Sequence, residues 1–367
     1  MTFPKEKLEQ LTLINDLLHI TKHNHHKIVF VYSAPKVGST SIVSSLRIFA
    51  IKQMDIIHIH DEEMLKVLTK NQNITITINE LILHNVYLGK EVYVINVYRS
   101  PIERKISTYF EKIGSHHFNA IDEDVNTYNL SKVISRFNNI FPWIANGDHF
   151  MDTYNITRPD KFDVNNKYLS IKNNGITYIT LRLSDSNEWN KILTNLFGFP
   201  IRTIKDYESS NKPIKDIYIK FKNSYNIPTN LLNDVIKDTY FQYYYSVDEI
   251  AKYYNNWLAK SVSPVVHYNR EQYDLYEQIS IENCHIDKVQ LDHYFDEGCI
   301  CKACCIKRCE TVSTLLNGNN ITTRIIHKEA TIDLINKRTN KINNIRLQHM
   351  MKQKKQFKNS MASIVMK

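Results

Sequence analysis

Three short runs of β-branched and aromatic residues stand out in the first hundred positions. They are Lys27–Tyr32 (KIVFVY), Asp55–His60 (DIIHIH) and Glu91–Tyr98 (EVYVINVY). Their apolar character is nearly continuous, the pattern of strands covered on both faces in a parallel sheet. Helical periodicity surrounds them. Leu8, Leu11, Ile14, Leu17 and Leu18 share one face of a helix predicted over 5–21. Further helices are predicted at 39–52, 61–70, 78–88 and from Pro101 to about 113. Strands alternating with helices imply βαβ units, a parallel sheet and right-handed crossovers. In the middle of the chain, 167–172 and 176–183 flank Asn173-Asn174-Gly175, which reads as a hairpin turn. Helices are predicted at 187–197, 214–224, 229–238 and 247–259. The aromatic cluster Tyr240, Phe241, Tyr243, Tyr244, Tyr245, Tyr253, Tyr254 and Trp257 falls between and on the last two of these, where helix-packing aromatics are favoured over a stacking surface.

Composition narrows the class. A chain of 367 residues, 43% of them hydrophobic, can bury a sizeable core and is not disordered throughout. Eight glycines exclude collagen-like and Gly-rich repeats. No apolar run reaches the roughly 18 residues of a membrane span, and the polar start Lys5-Glu6-Lys7 lacks the apolar core of a secretory signal. A soluble intracellular protein is expected.

Charge and cysteine divide the chain in two. The net charge is +9, yet residues 299–367 hold 14 Lys/Arg against 3 Asp/Glu, leaving 33 against 35 in residues 1–298. All six cysteines lie between Cys284 and Cys309. The division predicted is an α/β domain over 1–270 and a Cys-containing basic extension over 271–367. The basic balance belongs to the extension and says little about the ligand of the main domain.

The stretch that carries chemistry is Val31-Tyr32-Ser33-Ala34-Pro35-Lys36-Val37-Gly38-Ser39-Thr40-Ser41. A buried strand enters a short loop with one Lys and one Gly, and three consecutive hydroxyl residues open a helix. Backbone N–H groups at a helix start, with the positive end of its dipole, form an anion cradle that hydroxyls and an ammonium complete. It is not a Walker A loop, in which Lys follows the second Gly, because Lys36 precedes Gly38. A phosphoryl-transfer enzyme is demoted on that ground.

Pro-Lys-x-Gly-Ser-Thr-Ser after a strand resembles the 5′-phosphosulfate loop of the PAPS-dependent sulfotransferases. Tyr98-Arg99-Ser100-Pro101, with Ser107 eight residues after Arg99, resembles that family's 3′-phosphate segment. The two segments occur in the family's order, each at a predicted strand end. The resemblance covers roughly residues 27–113 and continues weakly through Leu181–Asp185 with Trp189 and through Tyr244–Trp257. It is reminiscent of sulfotransferase-like proteins grouped with capsular polysaccharide synthesis. What it implies is a P-loop-like parallel core that binds 3′-phosphoadenosine 5′-phosphosulfate through Lys36, Gly38, Ser39, Thr40, Ser41, Arg99 and Ser107. The implied activity is transfer of a sulfuryl group to a hydroxyl, on a glycan acceptor. Lys36 would stabilise charge on the transferring and leaving groups.

For a base, the family commonly uses His or Glu near the end of the strand after the cradle helix. His60 fits that place, and alternation puts His58 on the same side of the sheet. His58, Asp61 and Glu62 remain alternatives.

Two features of the extension support rival readings. Cys299, Cys301, Cys304, Cys305 and Cys309 fall within eleven residues, and Cys299, Cys301, Cys304 and Cys309 are a candidate structural zinc set, against unliganded thiols. The basic stretch 325–358 could meet nucleic acid, an anionic membrane or an acidic glycan, or be a solvated extension. These keep open a non-catalytic nucleotide-binding module, or one defined by its basic extension.

Overall fold

The computed structural model describes residues 3–20, 25–69, 74–111, 113–118, 122–154, 159–204 and 213–280, with positions 340, 344, 347, 348 and 351. The six cysteines, the candidate zinc set among them, and most of the basic stretch lie outside the described residues. Among the described residues no helix is long and apolar enough to cross a membrane.

The first half alternates as its pattern predicts. The order is α1 (Lys5–Leu17), β1 (Lys27–Tyr32), α2 (Ser39–Phe49), β2 (Met54–Ile59), α3 (Glu62–Leu68), α4 (Ile78–Tyr87), β3 (Glu91–Tyr98) and α5 (Pro101–Tyr109). The second half adds α6 (Asp122–Val125), α7 (Leu130–Ile140), α8 (His149–Tyr154), β4 (Tyr168–Asn173), β5 (Ile176–Arg182) and α9 (Trp189–Phe197). It closes with α10 (Lys215–Ser224), β6 (Ile227–Pro228), α11 (Thr229–Lys237), α12 (Thr239–Tyr244), α13 (Val247–Leu258), β7 (Ser261–Val262) and α14 (Arg270–Ser280). The main sheet has five strands in the order β2-β1-β3-β5-β4. The first four are parallel to their neighbours, and β4 pairs antiparallel with β5 at one edge.

Both faces of the central strands are covered, which is why β1 and β3 are nearly continuous apolar runs, whereas the edge strand β4 alternates with exposed polar residues. Phe30, Tyr32, Ile57, Ile59, Val94 and Tyr98 pack on one face with Leu11 and Ile14 of α1 and Leu81 and Ile82 of α4. Val29, Val31, Ile56, Ile95, Val97 and Leu181 pack on the other with Ile42, Val43 and Leu46 of α2 and Trp189 and Leu193 of α9. A separate apolar cluster joins α5, α7, α10, α11 and α14 through Ile102, Ile106, Phe137, Phe221, Leu231, Tyr273 and Tyr276. The chain therefore stays attached to this helical layer through Tyr276.

The β4–β5 turn follows its sequence chemistry. Asn174 and Gly175 have φ of 50° and 79°, the left-handed pair that a two-residue hairpin turn with right-handed strand twist requires. The aromatic cluster is helix packing. Phe241 and Tyr244 are fully buried, Tyr244 stacks on Tyr98 at 4.1 Å, and Phe241 meets Tyr253 at 4.9 Å.

Two helices stop earlier than their periodicity predicts. α1 ends at Leu17 because the chain turns through His19, whose φ is 60°. α5 ends at Tyr109, where the Glu111 N–H bonds the Thr108 carbonyl and tightens the last turn.

α5 also braces the loop before α8. Arg104 Nη1 donates to the Gly147 carbonyl at 2.6 Å, and Lys105 Nζ donates to the Ile144 carbonyl and to Asn146 Oδ1, each at 2.6 Å. Burial, with the Arg104 guanidinium alongside, pushes the Lys105 ammonium down to about 7. The unfolded chain holds that proton up to about 10.5, so it binds more protons than the folded chain between the two values. Stability therefore rises with pH across this window. Urea unfolding should show wild type gaining up to about 2 kcal/mol between pH 7 and pH 9 relative to Lys105→Met. Identical pH slopes for the two proteins would show that Lys105 keeps its proton in the fold.

Candidate functional site

The neighbouring parallel strands β1 and β3 end side by side, and each hands the chain to a segment rich in polar groups. After Tyr32 the loop Ser33–Gly38 leads into α2. Lys36 and Gly38 have φ of 67° and 95°, with Val37 between them outside the positive region. Alternation of this kind curls successive backbone N–H groups toward one side, the geometry of an anion-binding concavity. Gly38 is the residue before the first turn of α2, and α2 has no side-chain cap. Helix geometry leaves the N–H groups at its very start without carbonyl partners in the helix, while the Ser41 N–H bonds the Gly38 carbonyl at 3.2 Å. Ser39 is buried, and Thr40 and Ser41 are partly exposed at the same helix start.

Gly38 is required twice over. Its φ is unfavourable for any side chain, and a Cβ there would stand 2.8 Å from Leu183 Cδ1 and 3.5 Å from the Trp189 ring. The segment after β5 thus presses directly on the loop. That contact explains why Leu183 and Trp189 belong to the same neighbourhood as the cradle.

After Tyr98, Arg99 turns the chain into α5. Its Nη1 donates to the Lys36 carbonyl at 2.8 Å, so the two segments identified in the sequence meet. Burial lowers the Arg99 pKa, while Tyr218 and Glu103 nearby act in the opposite direction. Glu103 accepts from Tyr253 Oη at 2.8 Å and from Trp257 Nε1 at 3.3 Å, which ties α5 to α13. Ser107 is buried on α5, two turns beyond Arg99. Arg99, Glu103, Ser107 and Glu111 recur every four residues; Glu103 and Ser107 share one face of α5, and Arg99 and Glu111 flank it just before and just after the helix. Glu111 closes the group: Lys36 Nζ lies 2.5 Å from Glu111 Oε2, both side chains largely out of solvent.

His58 in β2 and His60, which falls just past the strand's last residue Ile59 and not at its end as the sequence pattern predicts, face the same loop. His58 and His60 are on one side, as alternation predicts, with ring centroids 4.6 Å apart. His58 Nε2 lies 3.2 Å from Ser39 Oγ. His60 Nδ1 lies 2.6 Å from the Ser33 carbonyl. A carbonyl can only accept, so Nδ1 carries the hydrogen, and in the uncharged form of the ring Nε2 is the proton-accepting nitrogen. Asp61 accepts from the Met64 N–H at 2.8 Å as the cap of α3, which gives that carboxylate a structural task. Glu62 begins α3.

Two groups at this edge carry no sequence signature. Glu111 is one. The other is His149, whose ring meets Tyr32 edge-on at 4.4 Å and whose Nε2 is buried without a partner among the described residues. Burial lowers its pKa against the pull of Glu62 and Asp61 and so favours the uncharged ring. Asp148 beside it is held by Asn96 Nδ2 at 2.8 Å and by the Tyr244 hydroxyl. That network fixes the His149 backbone against β3. The hydroxyls of Ser33, in the loop, and Thr108, next to Ser107, are also buried without partners among the described residues. Such atoms in a folded protein call for water or a ligand.

Comparison with protein-family models, with curated proteins and with solved structures finds no match to this chain.

The packing of Gly38 is testable against a matched control. Gly89 has φ of 78° but nothing within 4 Å of the place a Cβ would occupy, so Gly89→Ala isolates the conformational cost. Urea unfolding should put that cost at about 1–2 kcal/mol. Gly38→Ala should exceed it by about 1 kcal/mol or more through the clash with Leu183. Equal costs would mean that Leu183 does not press on the loop.

Proposed function

We propose that this α/β chain is a PAPS-dependent sulfotransferase with a P-loop-like core. It moves a sulfuryl group from 3′-phosphoadenosine 5′-phosphosulfate to a hydroxyl, on a carbohydrate acceptor in keeping with the family resemblance. The observation that carries the reading is the 2.8 Å bond from Arg99 to the Lys36 carbonyl. It joins the two ligand segments at adjacent strand ends, the place where open α/β sheets bind nucleotides. The chemistry of the groups fits the donor. The curled loop with Lys36, Gly38, Ser39, Thr40 and Ser41 suits the 5′ phosphosulfate. Arg99 and Ser107, a guanidinium fork and a hydroxyl, suit the 3′-phosphate dianion.

In this reading the acceptor oxygen attacks sulfur, and the bond from sulfur to the bridging oxygen of the donor breaks. The acceptor proton goes to His60 Nε2, and the electron pair of the broken bond stays on the 5′-phosphate of adenosine 3′,5′-bisphosphate. Lys36, as a mobile ammonium, follows the charge from the sulfuryl oxygens to the leaving phosphate. The Ser33 carbonyl holds His60 in the tautomer that accepts a proton.

Calorimetry tests the donor assignment without knowledge of the acceptor. Wild type should bind adenosine 3′,5′-bisphosphate at least about tenfold more tightly than AMP. Arg99→Ala should cost bisphosphate binding about 1.5–3 kcal/mol more than it costs AMP binding, which feels only the lost bond to the Lys36 carbonyl. A wild type indifferent to the 3′-phosphate would overturn the sulfotransferase reading.

The base is tested by separating chemistry from binding. His60→Ala should lower turnover by about 10²-fold or more and leave bisphosphate affinity nearly unchanged. If His58→Ala lost turnover and His60→Ala did not, the proton would go to the neighbouring ring instead.

A further inference from the structure

The loop lysine already has an anion. Lys36 Nζ and Glu111 Oε2 are 2.5 Å apart, with side chains 11% and 27% exposed. The pair spans 75 positions in the sequence and ties the cradle loop to the far end of α5. The near end of the same helix segment is tied to the same residue, because Arg99 Nη1 bonds the Lys36 carbonyl at 2.8 Å. Lys36 is thus gripped at its backbone and at its ammonium by the two residues that flank α5, with Ser107 on the helix between them.

We infer that Glu111 sets the loading threshold of this site: it is the counter-ion that an entering phosphate or phosphosulfate must displace from Lys36. The inference rests on the sulfonucleotide reading for the identity of its natural ligand. The physical content is a competition. An anion in the cradle gains the ammonium only after the carboxylate has given it up, and the displaced carboxylate then faces the newcomer as a like charge. This cost falls equally on every anion that uses Lys36. A small anion with no other anchor does not overcome it at ordinary concentrations. A nucleotide that also carries a 3′-phosphate does, because Arg99 and Ser107 hold its second end. Glu111 therefore raises the threshold for loading the cradle and reserves it for ligands bound at both ends.

The test uses the full chain and two probes, adenosine 3′,5′-bisphosphate and inorganic pyrophosphate, titrated by calorimetry into wild type, Glu111→Gln, Glu111→Asp, Lys36→Ala and the Lys36→Ala/Glu111→Gln double variant. Glu111→Gln removes the charge and keeps the shape. It should tighten both probes by the same factor, about five- to tenfold. Glu111→Asp, which keeps the charge, should stay near wild type. In the Lys36→Ala background, Glu111→Gln should gain nothing, since the ion pair is already gone. The inference is overturned if Glu111→Gln binds both probes no better than wild type, or if its gain persists without Lys36. The two readings fail separately. Wild type that binds bisphosphate without regard to its 3′-phosphate removes the sulfonucleotide assignment, while the pyrophosphate arm still decides the role of Glu111. Binding of neither probe by Glu111→Gln, with its thermal unfolding unchanged from wild type, overturns both.

Discussion

The bond from the Arg99 guanidinium to the Lys36 carbonyl is the contact on which the rest of the site depends. Lys36 sits at φ of 67°, a conformation that disfavours residues with a side chain. It persists because its carbonyl has a charged donor at 2.8 Å and its ammonium a carboxylate at 2.5 Å. Hydrogen bonds to a charged group contribute about 1.5–3 kcal/mol, enough to offset a left-handed residue. The parallel pairing of β1 with β3 brings the donor and acceptor of this bond to one edge. Backbone strain, sheet topology and the two charged contacts of the loop therefore meet at one residue.

Much of this is legible in the chain's residue pattern alone. The strands can be read because a sheet covered on both faces demands unbroken apolar runs, and Lys27–Tyr32 and Glu91–Tyr98 have them. Asn174 and Gly175 announce the hairpin through the one backbone conformation they tolerate better than other residues. Lys36, Gly38, Arg99 and Ser107 are readable because each is bound to a strand end by a short, fixed spacing. The ends of α1 and α5 are not, since their apolar periodicity continues past the residues where the backbone turns away. Leu18 still matches the α1 stripe, yet the turn at His19 has already ended the helix.

Glu111 and His149 are illegible for a different reason. Each acquires its role from a partner far away in sequence, Lys36 for Glu111 and Tyr32 for His149. No local pattern marks a carboxylate just past a helix end, or a histidine following a buried aspartate, as part of a strand-edge site. A sequence rule could find Glu111 only by extending the Arg99–Ser107 spacing one more turn. His149 depends on the clamp that Arg104 and Lys105 place on the loop 144–147, which is a tertiary fact.

α5 explains why these groups behave as one unit. Ile102, Arg104, Lys105, Ile106, Ser107 and Tyr109 are all buried, so the helix is enclosed on nearly every side. Its apolar residues join the helical layer, its cations hold the loop that presents His149, and the residues flanking its two ends, Arg99 and Glu111, contact the cradle. A helix so enclosed moves as a rigid body or not at all, because close-packed interiors transmit displacement instead of absorbing it. Any shift that separates Glu111 from Lys36 is therefore felt at Arg99, and any shift that repositions Arg99 changes the carbonyl it holds. The two ends of a ligand lying across β1 and β3 would be linked through this one helix. That mechanical link requires no hinge or lid, only a rod whose neighbours leave it no independent freedom at either end.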